Sequence, residues 1–175
     1  MPYDLTSPLV IGISSRALFN LEEENKIYEE KGLAAYEEYQ VAHENVTLQK
    51  GSAFQLVKAF LGLNKLQEQR MVEVIVMSRN SPNTSLRIFN SIEEYDLDIT
   101  RAALTGGAPI APYLHAFNTD LFLSAYGPDV QQAIDNNIAA GAILAGVSHG
   151  SSKGKVDQIR IAFDGDAVLF GSDSG

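Results

Sequence analysis

Leu9-Val10-Ile11-Gly12-Ile13-Ser14-Ser15-Arg16 opens with a short apolar run held between Pro8 and a pair of serines. Nothing in the run alternates with polar residues, so it reads as a strand buried on both faces. A strand of that kind belongs to a sheet with helices packed on each side. The chain that follows supplies them. Glu22 to Ala42 is helix-like, and its opening acids suit the positive end of a helix dipole. Ser52 with Gln55 three residues on is a capping-box signature, which opens a second helix carrying Leu56, Val57, Phe60 and Leu61.

Strands and helices continue to alternate. Met71 to Met77 reads as a second strand, and Pro82 is placed to start a helix marked by Leu86, Phe89 and Ile92. Ile99 to Leu104 reads as a third strand, followed by a short helix through Tyr113 and Leu114, and Leu121 to Leu123 as a fourth. Asp129 to Leu144 reads as an Ala-rich helix and Ile159 to Phe163 as a fifth strand. Parallel strands need such crossovers, so the expected fold is α/β, a Rossmann-like three-layer α/β/α domain with a mostly parallel sheet. Ligands on that architecture bind outside the carboxyl ends of the strands. The residues to watch are Ser14 and Arg16, then Ser78, Arg79 and Asn80, then Thr105, Gly106 and Gly107, then Ser124, and finally Asp164 to Asp166.

Composition narrows the partners. With 22 acidic against 13 basic residues the formal net charge is −9, which gives no electrostatic reason to bind nucleic acid or anionic lipid. There is no cysteine, hence no disulfide and no thiolate metal site. The N-terminus lacks the basic region of a signal peptide and no stretch approaches a membrane span, so the expected location is cytoplasmic. His43, His115 and His149 show no paired ligand spacing. Gly106-Gly107-Ala108-Pro109 suits either a tight turn or an anion cradle, the turn being the simpler reading.

Asp164-Gly165-Asp166 follows an apolar strand, where a nucleophile or metal ligand belongs. A bare D-x-D is weak evidence, since Asp96-Leu97-Asp98 is another. Its context is stronger. Ile11 to Leu18 lies over Ile161 to Val168 with apolar residues on apolar residues and Ala17 on Ala167. That overlay puts Ser14 in the place of Asp164 and Arg16 in the place of Asp166. The first copy keeps the strand without the carboxylates.

The segments "IGISSRALFNLEEENKIYEEKG", "VIVMSRNSPNTSLRIFNSI", "LTGGAPIAPYLHAFNTDLFLSA" and "RIAFDGDAVLFGSD" together resemble the cytosolic 5'-nucleotidase type I family, within the haloacid dehalogenase superfamily. The resemblance implies Mg2+-dependent hydrolysis of nucleoside 5'-monophosphates such as AMP. It implies that Asp164 is the nucleophile that forms an aspartyl-phosphate and that Asp166 is the general acid and base. Both would hold Mg2+, Asp164 through its carboxylate and Asp166 through its backbone carbonyl. The superfamily also needs a Ser/Thr, a Lys and an acidic pair after that motif. In the first copy their places fall on Ser78, Ile110 and the neighbourhood of Ser124. The expectation is therefore a degenerate, haloacid dehalogenase-like domain over residues 1–157, with 158–175 the first strand of a catalytic copy. The chain is expected to be a truncated part of a longer 5'-nucleotidase and inactive by itself. The alternative is a non-catalytic module that holds a nucleotide in a vestigial pocket of Ser14, Arg16, Ser78, Arg79, Asn80, Thr105, Gly106 and Gly107, or that joins copies into a homo-oligomer.

Overall fold

Both faces of Leu9–Ser14 (β1) are covered, and this strand is the centre of the molecule. The computed structural model describes residues 7–144. β1 leads into a single helical turn, Ser15–Leu18 (α1), and a two-residue strand, Phe19–Asn20 (β2). The chain then makes a long excursion, Glu22–Ala42 (α2), and returns through Gln49–Lys50 (β3) to Phe54–Leu63 (α3). Val72–Ser78 (β4) is followed by a 3-10 turn at Pro82–Thr84 and by Leu86–Glu94 (α4). Arg101–Leu104 (β5), Ala111–Ala116 (α5), Leu121–Ser124 (β6), Gly127–Asp135 (α6) and Ala139–Ala142 (β7) complete the described chain.

Five strands form one sheet in the order β5-β4-β1-β6-β7, and every pairing is parallel. Alternate residues of β1 and β4 serve opposite faces. Ile11, Ile13, Val74 and Val76 pack with Val57 and Phe60 of α3 and Ile88 and Ile92 of α4. Val10, Ile75 and Met77 pack with Leu114 of α5, Phe122 of β6 and Ala133 of α6. The three-layer α/β reading of the sequence is the observed one. Gly12 sits where the layers are tightest, because a Cβ there would lie 3.1 Å from the Phe122 ring.

The excursion between β2 and β3 closes on itself. Phe19 pairs with Lys50 and Asn20 with Gln49, antiparallel. Gly51 N–H then donates to Leu18 O at 2.9 Å, and Ala53 N–H to Ala17 O at 2.9 Å. A Cβ on Gly51 would stand 2.5 Å from Ala17 O and 2.8 Å from Phe19 N, both backbone atoms. Only glycine fits. At its start α2 is fastened by a buried ion pair, Arg87 Nη1 to Glu24 Oε1 at 2.6 Å, and Arg87 Nε donates to Val46 O, just after α2, at 2.7 Å.

Four details depart from the sequence reading. Residues 129–144 are not one helix. Asn137 adopts φ 59°, Ile138 N–H bonds back to Ala133 O, and the chain turns into β7 alongside β6. Such a left-handed residue closes a helix by capping its last carbonyls. The capping box at Ser52 and Gln55 does not form. Ala53, itself in helical conformation, precedes α3 and makes no side-chain cap bond. An N-cap serine needs an extended backbone, and residues 51–53 are already in a tight turn. α4 buries Arg87, Ile88, Ser91 and Ile92, leaving Leu86 and Phe89 at the surface. Its inner face is set by polar partners: Arg87 meets Glu24, and Ser91 Oγ accepts from Leu48 N–H at 2.9 Å. α2 is continuous in extent but broken at Gly32, where φ is 83°.

Glu73 is fully buried on β4. Arg101 pairs with one of its oxygens and Arg70 with the other, at 2.6 Å, while Arg70 reaches on to Asp98 at 2.9 Å. This network lies near the start of the strand, away from the carboxyl ends of the sheet.

Gly51→Ala is expected to lower the unfolding free energy by about 1–3 kcal/mol, as overpacking against rigid backbone does; urea unfolding reads it. Burial raises the Tyr36 phenol above its ordinary value of 10.0, opposed by the hydrogen bond from Gln40. A raised native value means the unfolded chain loses its proton first. Stability is therefore held below pH 10.0 and falls as pH rises above it. In denaturant melts across that range, Tyr36→Phe is expected to show a shallower decline.

Candidate functional site

The strand order reverses at β1. β4 and β5 lie to one side, β6 and β7 to the other. A crevice outside the carboxyl end of the sheet at that switch point is where this architecture places ligands. Ser14 ends β1 there. Its hydroxyl accepts from Ala17 N–H and from Ala125 N–H, each at 3.2 Å, so it caps α1 and holds the chain after β6. Ser15 and Ser78 share a hydrogen bond at 3.1 Å, and Ser78 Oγ also accepts from Asn80 N–H at 3.1 Å. The hydroxyls at the ends of β1 and β4 are thus buried and spent on one another and on backbone.

Arg79 and Asp129 join the two sides of the switch point. Arg79 follows β4, while Asp129 lies in the first turn of α6, just after β6. Arg79 Nε donates to Asp129 Oδ1 at 3.0 Å and Nη2 donates to the same oxygen. The guanidinium also lies 5.7 Å from the Tyr126 ring centre. Asp129 is 5% exposed and gains from the helix N-terminus as well as from Arg79.

The loop after β5 makes a tight turn. Gly106 and Gly107 adopt φ 58° and 93°, and their N–H groups donate to Asn80 O at 3.2 Å and Arg79 O at 2.7 Å. The Thr105 hydroxyl donates to Ala108 O. These donors face the neighbouring loop. Of the sequence candidates, Ser14, Ser78, Arg79, Asn80, Thr105, Gly106 and Gly107 share the carboxyl edge of the sheet, linked by hydrogen bonds that they mostly satisfy among themselves.

Arg16 stands apart from that group. It lines a cavity of about 270 Å³ with Asn20, Leu21, Glu22, Lys50, Gly51, Ser52, Ala125 and Ile143. Lys50 Nζ sits 5.0 Å from the ring centres of both Phe54 and Tyr95. The sequence reading missed Lys50 and Asp129. The position of Lys50 depends on the pairing of two-residue strands across α2, which no local pattern reveals.

Ile110, in the place the resemblance gives to a lysine, is 2% exposed, and Ser124 is fully buried. No group of three or more His, Cys, Asp or Glu residues suited to a metal occurs among the described residues. Asp164 and Asp166 lie outside the described residues. Among the described residues no helix is long and apolar enough to cross a membrane.

Comparison with known proteins agrees along the whole chain. A family model described as 5'-nucleotidase matches residues 1–175. Cytosolic 5'-nucleotidase 1B of Homo sapiens is similar at 40% identity over 172 residues, which covers 95% of this chain and 28% of that protein. The chain therefore spans well under a third of the relative's length. No solved structure matches.

Removing the Arg79 guanidinium strands the Asp129 carboxylate. Arg79→Met is expected to destabilise the fold by about 1–3 kcal/mol in urea unfolding, the cost of leaving a buried acceptor without its partner.

Proposed function

Since the chain belongs to the 5'-nucleotidase family, we propose that it is part of an enzyme that hydrolyses nucleoside 5'-monophosphates of the AMP kind, with its chemistry at Asp164 and Asp166. The family match over residues 1–175 carries this reading. The motif Asp164-Gly165-Asp166-Ala167-Val168 supports it through its resemblance to the haloacid dehalogenase superfamily. The Asp164 carboxylate attacks phosphorus, and the nucleoside leaves as its 5'-oxygen takes a proton from Asp166. Asp166 then takes a proton from water, which attacks the aspartyl-phosphate. Inorganic phosphate departs and Asp164 is restored. Mg2+, held by the Asp164 carboxylate and the Asp166 carbonyl, would offset the charge of the phosphoryl oxygens.

Residues 1–157 are, on this reading, a degenerate copy of the same unit, and residues 158–175 begin the catalytic copy. Three observations favour it. The Ser14 hydroxyl, in the nucleophile's place, is taken by two backbone N–H groups. Arg16, in the acid's place, cannot exchange a proton. Ile110 and Ser124 bring neither the cation nor the carboxylates of the superfamily pattern. The similarity to a human cytosolic 5'-nucleotidase favours a cytoplasmic location. A second reading, in which residues 7–144 form a nucleotide-binding or oligomerisation module, is favoured by the cavity that holds Arg16 and Lys50.

The 175-residue chain is expected to release no phosphate from AMP with Mg2+, because two carboxylates lack the cation and remaining ligands that phosphoryl transfer requires. A longer chain that continues the frame is expected to turn AMP over. In it, Asp164→Asn should lower kcat by about 10⁴ or more, the scale of losing a covalent nucleophile. Phosphate-release kinetics decide both. Turnover by the 175-residue chain that Asp164→Asn abolishes would overturn the assignment of roles.

A further inference from the structure

We propose that the cavity beside β1 is a metal-independent receptor for a phosphate monoester dianion bearing hydroxyl groups, gripped by Arg16 and Lys50. The inference rests on reading residues 7–144 as a non-catalytic copy, and it names the ligand class of that copy.

The first observation is charge. Arg70, Arg79, Arg87 and Arg101 each pair with a carboxylate. Arg16 has no carboxylate partner among the described residues, and neither does Lys50. Both line the same cavity. In a chain of formal charge −9, two cations with no carboxylate partner among the described residues on the wall of one space are a local reversal of the surrounding field. Among the described residues Glu22 is the one carboxylate on the wall, which leaves that lining with an excess of positive charge suited to a dianion.

The second is preorganisation. Arg16 belongs to α1 and Lys50 to β3, and these two elements are locked by the close approach of Gly51 to Ala17 and Leu18. The Lys50 ammonium lies against the Phe54 and Tyr95 rings, which hold a cation in place without neutralising it. A guanidinium fork and an ammonium fixed on one frame suit a phosphate group, the first as a bidentate donor and the second as a point charge.

The third is the remaining wall. Ser52 and Asn20 add polar groups, Glu22 is an acceptor for hydroxyls, and Leu21, Ala125 and Ile143 are apolar. At about 270 Å³ the space is at the small end of ligand sites. It suits a phosphorylated sugar, with any base of a nucleotide reaching toward the mouth. A larger depression of about 530 Å³ lies over α2, but Glu37 and Glu38 line it with no cation, so it repels anions. Among the described residues the wall offers no nucleophile paired with a base: the Ser14 hydroxyl is taken by two backbone N–H groups, and Arg16 stands where a proton-transfer carboxylate would be needed. The ligand is bound and leaves unchanged.

Calorimetric titration of the 175-residue chain in EDTA tests this, with AMP, ribose 5-phosphate, inorganic phosphate and adenosine as probes. The phosphorylated probes are expected to bind and adenosine to fail. Arg16→Ala and Lys50→Ala should each weaken AMP binding about tenfold or more, the worth of one charge-assisted contact. Arg16→Lys should retain part of the affinity, and binding should weaken as salt rises. Adding Mg2+ in place of EDTA should leave the AMP affinity unchanged, which separates this site from the metal-dependent motif. Absence of binding by every phosphorylated probe would overturn the proposal. So would unchanged affinity in both alanine variants, or binding that needs Mg2+ and disappears in Asp164→Asn.

Discussion

The structure depends on one contact at which no side chain is tolerated. After β1 the chain leaves the sheet for about thirty residues through α2, and it must come back to the same place. It does so at Gly51, whose N–H reaches Leu18 O and whose Cα lies against the backbone of α1 and β2. This closure turns an insertion into part of the domain. It lets α3 continue into the core through Phe54 and Val57. It also brings Lys50, from the returning strand, to the same cavity as Arg16 from the outgoing turn. A loop of that length costs little more entropy to close than a shorter one, so the constraint is local: the backbone must approach, and only glycine permits it.

Around this closure, buried ion pairs decide which surfaces meet. Glu24 and Arg87 fix the beginning of α2 to α4, Arg70 and Arg101 compensate Glu73 inside β4, and Arg79 joins Asp129 across the end of β1. Desolvation offsets much of the attraction in such pairs, so their net contribution to stability is modest. Their effect is on specificity, because a wrong packing leaves a charge buried without its partner. Arg87 with Glu24, Arg101 with Glu73 and Arg79 with Asp129 each join residues far apart in sequence, at positions that an apolar pattern alone would misassign.

That explains what the sequence disclosed and what it withheld. β1 and β4 were legible because both faces are covered and their residues are apolar apart from the serines at their ends and Glu73. The layer arrangement followed from the alternation of strand and helix. The inward face of α4 was not legible, since apolar spacing favoured Leu86 and Phe89 while the partner of Arg87 is Glu24, in another helix. β7 was hidden for a different reason. Ala139-Ala140-Gly141-Ala142 has no strand propensity to speak of, and alanine extends a helix readily. It forms a strand because Asn137 turns the chain out of α6 and because β6 offers an unpaired edge. At the site, the edge rule found Ser14, Ser78 and the glycines correctly as residues of the carboxyl end. It could not foresee that their polar groups are largely spent on one another and on nearby backbone, because hydrogen-bond saturation is a property of geometry.

A phosphoryl-transfer site of the proposed kind opposes two charges of the same sign, carboxylate nucleophile and phosphate, and so requires cations to be supplied beside them. Replacing the two carboxylates by Ser14 and Arg16 removes that requirement together with the chemistry. On the proposed reading, the space at the end of β1 changes from one that repels a phosphate without metal to one that attracts it without metal. The apolar strand need not change for this to happen, since the sheet positions whatever side chain follows it. The overlay of Ile11 to Leu18 on Ile161 to Val168 keeps the strand pattern while the polar positions differ. On the proposed reading, one scaffold occurs twice with opposite electrostatics at its mouth, and the difference between holding a phosphate ester and cleaving it lies in two side chains at the end of one strand.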